Sequence, residues 1–284
     1  MSKCGSLALL AVFFAAGAPA ETLDPLARGQ AAWAGRAESH NGSQADPGPI
    51  GEAVRAFEDA RSADPEDLAA LAQLLRALWF QGEHTPLDDE AKLRVFEYGR
   101  DLAQHAIDTL TSDLSTRDGK PTSEEIAAHV RDTESAGEIY FWAAAHWGLW
   151  GRHRGKIASA RQGVAGKIRD YAEVTIALDE RLQNAGGRRI LGRLHTEAPK
   201  LPFVTGWIDR REAIRHLERA VELAPEDLMN RLYLLEALIE FDSARRPDAI
   251  RQLRQLVEQE PQPSTIVEDL KILEDARELL ERAD

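Results

Sequence analysis

Apolar residues recur along this chain three and four positions apart, and strict alternation of apolar and polar residues is missing. The pattern predicts helices over residues 28–40, 50–63, 65–82, 88–110, 122–151, 157–182, 209–225, 226–242, 249–261 and 265–282. Between them lie turn-rich stretches: 41–51, the loop through Thr85-Pro86, 114–121, and 184–187. Gly163 and Gly166 are placed to bend or break the 157–182 helix.

One offset recurs. Ala213, Leu217, Ala220 and Pro225 stand at offsets of four, seven and twelve, the imprint of the second helix of a tetratricopeptide repeat. Small alanines let the partner helix come close, and the leucine fills the gap between the two. Ala53, Phe57, Ala60 and Pro65 repeat the pattern, as do Ala249, Leu253, Leu256 and Pro261. Gly99, Ala103 and Ala106 carry it without the proline. Ala213 and Ala249 are 36 residues apart, near the roughly 34 of this repeat class. The expected fold is therefore all-α: tetratricopeptide-like helical hairpins stacked into one solenoid-like domain over residues 21–284.

Two start signals stand out. Asp64-Pro65 and Pro225 are expected to open the helices that follow them. Thr122 and Glu125 form a capping box that should start one long helix. The end of that helix, Ile139 to Gly151, is aromatic on most sides and so should be buried on most sides, as the central helix. Trp142, His146 and Trp150 share one face; Tyr140 and Trp147 share another. Core packing is the favoured reading, and a cavity lined by this stripe is the alternative.

Residues 186–207 are dense in Gly, Pro and Arg and are expected to be irregular. Their apolar members, Leu201, Phe203 and Trp207, should lie across the aromatic end of the central helix. Arg188 and Arg193 should then stand at the mouth of whatever cavity is enclosed.

Composition narrows the function classes. The 284 residues carry a net charge of −13, which argues against nucleic acid and anionic membrane surfaces as partners. Lys3, an apolar run over 7–16 and Ala18-Pro19-Ala20 have the form of a secretory signal peptide, residues 1–20. Cys4, the one cysteine, precedes the apolar run, so a lipid anchor is not expected and the mature chain would lack cysteine. An exported acidic chain without disulfides points to a bacterial periplasm. No other run approaches a membrane span.

Motifs for chemistry are missing: no H-E-x-x-H, no G-x-S-x-G and no phosphate-loop lysine. No catalytic residue, metal site or cofactor is expected, and a hydrolase is the least favoured class. His195 reads as a structural histidine. Arg188, Arg189 and Arg193 read either as anion or acidic-partner ligands or as ion-pair partners of surface carboxylates. The candidate binding set is Trp142, His146, Trp147, Trp150, Arg188, Arg193, His195 and Trp207.

The order of an aromatic helix (YFWAAAHWGLWGRHRG), GGRRILGRLHTEAPKLP and AIRHLERAVELAP resembles the T-component family of tripartite ATP-independent periplasmic (TRAP) transporters, over residues 140–284. Its most specific block is Gly187-x3-Leu191-Gly192-x2-His195-x3-Pro199-x2-Pro202. Asn184-Ala185-Gly186-Gly187 stands where such relatives often place a tyrosine and a Gly-Pro. The resemblance implies a periplasmic, helical, non-enzymatic protein that pairs with a transporter's solute-binding subunit and oligomerises around a pore. The alternative class is a binding protein for a small apolar or amphipathic ligand.

Overall fold

The computed structural model describes residues 24–114, 119–200 and 205–283. The expected leader, together with Leu201, Pro202 and Phe203, lies outside the described residues. The first helices are α1 (Pro25–Ala34), α2 (Pro47–Ala63), α3 (Leu68–His84) and α4 (Asp89–Leu110). Next come α5 (Ser123–Val130), α6 (Ala136–Arg154), α7 (Lys156–Arg161), α8 (Val164–Leu178) and α9 (Leu182–Glu197). The chain continues through α10 (Arg210–Leu223), α11 (Leu228–Phe241), α12 (Arg246–Leu256) and α13 (Ile266–Ala283). Helices pair as hairpins, α1 with α2, α3 with α4, α9 with α10 and α11 with α12, so the all-α, tetratricopeptide-like expectation holds. Two two-residue strands, His40–Asn41 and Gln44–Ala45, pair in the turn before α2, where the sequence shows only a turn.

Aspartates start the helices. Asp24, Asp46, Asp67, Asp88, Asp209 and Asp227 each accept an amide hydrogen from the first turn, at 2.8–3.0 Å. This corrects the expected role of the prolines. Asp64 closes α2, and α3 is capped by Asp67, so Pro65 sits in the turn between them. Pro225 likewise precedes the Asp227 cap of α11.

The expected long helix over 122–151 is two helices. The Thr122–Glu125 capping box starts α5, which stops at Val130. Ser135 adopts a left-handed conformation (φ 58°) just before α6. Gly163, at φ 64°, separates α7 from α8.

The largest departure is in residues 186–197, expected to be irregular and found in α9. The glycines there are close-packing positions. A Cβ at Gly192 would come within 2.4 Å of Leu217 in α10, and one at Gly186 within 2.3 Å of Phe141 in α6. Thus α9 and α10 form the repeat hairpin, with α9 as the first helix that the spacing did not reveal. The turn into α9 is unusual: Gln183, Asn184 and Ala185 are all left-handed, at φ 51°, 56° and 60°. Such residues cost about 1–2 kcal/mol each. Arg189 offsets this by donating to the Gln183 and Asn184 carbonyls at 3.2 and 3.3 Å. The buried Asn230 adds a bond to Asn184 O at 2.8 Å.

α6 is the central helix, as the aromatic run predicts: α3, α4, α8 and α9 all pack on it. α13 does more than cap the stack. Val267 joins the first hairpin's core with Ala45, Ile50 and Phe57. Arg36 donates to Glu268 at 2.7 Å and to the Ser264 carbonyl at 2.9 Å. Ser43 donates to Glu274 at 2.6 Å. The last helix thus meets the first hairpin, and the stack curves back on itself.

The Arg36–Glu268 pair is almost wholly buried. Removing one partner leaves a charge in the interior, so Arg36→Ala is expected to cost about 3–5 kcal/mol. Urea unfolding monitored by circular dichroism measures this; a loss under about 1 kcal/mol, the range of an exposed pair, would show that the closure contributes little.

Candidate functional site

The curved stack encloses a cavity of about 1300 Å³. α1 contributes Trp33, the turn after it contributes Arg36, and α3 contributes Arg76, Trp79 and Glu83. Arg76, Trp79 and Glu83 are spaced three and four apart, so they form one stripe of α3. α6 supplies Trp142, Ala145 and Gly148; the small residues leave the space that a larger side chain would fill. α9 adds Arg189 and Arg193, α11 adds Tyr233, and α13 adds Glu268, Asp269 and Ile272. Trp79 and Trp142 meet with centroids 5.5 Å apart and form an aromatic wall.

The aromatic stripe of α6 is divided between two environments. Trp142 faces the cavity. His146, Trp147 and Trp150 do not line it; they pack against α4 and α8. Both indoles lie under the Arg100 guanidinium, at 5.0 and 4.5 Å, and Trp147 also meets Lys167 at 4.4 Å. His146 is fully buried, and its Nε2 donates to the Leu75 carbonyl at 2.9 Å. Gly99 makes room for it, since a Cβ there would reach within 2.4 Å of the ring. Core packing therefore describes His146, Trp147 and Trp150, and the cavity alternative describes Trp142.

The arginines of α9 have internal partners. Arg188 pairs with Glu180 at 2.8 Å. Arg219 and Arg188 together hold the Glu180 carboxyl down at about 2. Arg189 donates to Asn230 at 2.9 Å besides clamping the left-handed turn. Arg193 bonds Glu236, pairs with Glu197 at 2.6 Å and lies 4.4 Å from the Tyr233 ring centroid. Arg193 lines the cavity; Arg188 does not. Arg189 also faces Asp227 at 3.8 Å, so each of the three has a carboxylate within ion-pair distance.

His195 is a cap. Its Nδ1 accepts the Asp209 amide hydrogen at 3.0 Å, at the start of α10. Trp207 packs edge-on against it at 5.5 Å, under the Arg169 guanidinium at 4.7 Å. Trp207 is half-buried on the apolar cluster that contains Trp147 and Trp150, but its ring contacts are His195 and Arg169. It does not line the cavity, and Phe203 lies outside the described residues.

Trp33, Arg36, Arg76, Trp79 and Glu268 were not singled out in the sequence. Trp33 and Trp79 carried a signal, as tryptophans in amphipathic helices. Nothing local indicates that Glu268 meets Arg36.

The hairpin order and the central cavity define an all-α helical-repeat protein of the tetratricopeptide-like type. No family profile matches the chain, and no curated protein does. Among solved structures it is similar to the crystal structure of yeast Tom70, at 12% identity and a TM-score of 0.29, over 94% of this chain and 66% of that one. The chain thus spans just under two-thirds of that chain's length. Among the described residues no helix is long and apolar enough to cross a membrane, and no group of three His, Cys, Asp or Glu side chains is placed to hold a metal ion.

Two predictions follow from the buried side chains. Burial pushes the pKa of His84 down to about 3 and that of His146 down to about 4. The unfolded chain, with histidines near 6.5, then binds more protons than the native one below that pH. Stability should fall as pH drops from 6.5 to 5, by up to about 1.4 kcal/mol per histidine per pH unit. Urea titrations across this range measure the slope, and His146→Gln should reduce it by the share of one histidine; a flat wild-type profile contradicts the assignment. Trp207→Ala should cost about 1–3 kcal/mol, below the 3–5 of a fully buried tryptophan, because one face is open.

Proposed function

We propose that this chain is a non-catalytic binding protein whose central cavity takes a small amphipathic ligand. The carrying observation is the cavity itself: about 1300 Å³, walled by Trp33, Trp79, Trp142 and Ile272 and edged by Arg36, Arg76 and Arg193. Ligand sites are usually concave and mostly apolar, with a few polar groups that fix orientation. The lining has that character. Helical-repeat folds of this type present their surfaces to other proteins, so a protein partner is part of the same reading. The leader-like residues 1–20 and the resemblance to TRAP T-components support an envelope setting. There the chain would act as an accessory of a solute-transport system, docking a solute-binding subunit.

Ala145, Gly148 and Gly151 are half-exposed positions of α6 on the cavity wall. Ala145→Trp should fill the space without touching the core face of the helix. With a dansyl-labelled fatty acid as probe, the wild-type chain is expected to bind and to show energy transfer from its tryptophans. The variant should lose at least about tenfold in affinity, roughly 1.4 kcal/mol, at unchanged melting temperature. Equal binding by the variant would overturn the cavity reading.

A further inference from the structure

At the seam between the first hairpin and α13, the charged side chains that line the cavity are held by partners, with one exception. Glu268 takes two bonds from Arg36, at 2.7 and 3.3 Å. Glu83 faces Arg152 at 3.9 Å. Asp269 accepts from the Gln262 amide at 2.8 Å and from the Thr265 hydroxyl at 3.1 Å. Arg76 is the exception. It is half-buried and lines the cavity, yet among the described residues it has neither a hydrogen bond nor an ion pair. Its one contact of note is stacking, with the guanidinium carbon 4.2 Å from the Trp33 ring centroid. Stacking covers a face of the fork and leaves the in-plane N–H donors unoccupied.

We propose that Arg76 is the head-group anchor of the cavity, binding a singly charged anion on an amphipathic ligand whose apolar tail lies along Trp79, Trp142 and Gly148. This rests on the cavity reading above. The open guanidinium fork selects the head. Arg36 and Glu268 hold each other and Asp269 is held by Gln262 and Thr265, so Arg76 is the seam cation whose donors have no partner, and one carboxylate-like anion fills its fork. A second negative charge on the head would fall close to Glu268, whose Oε2 is buried without a hydrogen bond. Burial, and after it the Arg36 charge, disfavours the protonated form of Arg76, with Glu268 acting the other way; a bound anion adds to the Glu268 effect. The tail direction follows from the helix. Trp79 is one turn along α3 from Arg76, and its ring continues into Trp142. Beyond Trp142, Ala145 and Gly148 leave a channel of small side chains along α6.

The test compares two probes with one tail and different heads, dodecanoate and dodecan-1-ol, by displacement of a neutral fluorescent lipid from the full chain at pH 7.5. The wild type is expected to prefer dodecanoate by roughly 10–100-fold, the range of one charge-assisted hydrogen-bonded contact. Arg76→Gln should abolish that preference, bringing dodecanoate affinity down to that of dodecan-1-ol. Arg76→Lys, which keeps the charge and loses the fork, should fall between, and it serves if the glutamine variant does not fold. A preference that survives in both variants overturns the Arg76 assignment while the cavity reading stands. Equal wild-type affinity for the two probes also overturns it. Binding of neither probe overturns the cavity reading and the anchor together.

Discussion

The buried ion pair between Arg36 and Glu268 joins positions 232 residues apart, and the geometry of the cavity depends on it. A stack of hairpins buries apolar surface only between neighbours, so its two ends have no reason of their own to meet. Here they meet because α13 offers Val267 to the first hairpin's core and Glu268 to a guanidinium that already sits against Trp33 and Phe80. Two ions removed from water need good geometry and further partners to be stable. The Ser264 carbonyl supplies one such partner. Without this closure the walls from α3 and α11 would face open solvent, and Arg76 would be an ordinary surface cation.

Close approach of the helices rests on small residues, and it explains both the successes and the failures of pattern reading. Ala53, Ala213 and Ala249 sit at the seats the repeat spacing assigns them, all fully buried. Gly192 performs the same service for Leu217, but from a stretch also rich in Pro and Arg. Glycine in sequence signals either a turn or a close contact. The partner side chain decides which, and at position 192 the partner is 25 residues further along the chain.

Charge shows a similar division of labour. The α9 arginines look like an anion site when seen in a row, yet each is consumed locally: by Glu180, by the left-handed turn and Asn230, and by Glu236 with Glu197. Arg76, in an apolar helix, faces the cavity with its guanidinium stacked on Trp33 and no hydrogen bond or ion pair among the described residues. A cluster of like charges in an acidic chain finds partners easily; a lone cation in a helix whose neighbours are Leu and Ala does not.

Helix existence, the repeat spacing, the Thr122 capping box and the buried aromatic helix were legible in the sequence, because each depends on residues within a turn or two of one another. Helix starts after Pro65 and Pro225 were misplaced by two or three residues, since an aspartate beyond each proline makes the better cap. The division of the α6 stripe was not legible: Trp142 and Trp150 share a face locally, and only the positions of α3, α4 and α8 decide which meets a cavity and which meets Arg100. The cavity itself is a property of closure. It requires the first and last helices to touch, and no local pattern encodes a contact spanning nearly the whole chain.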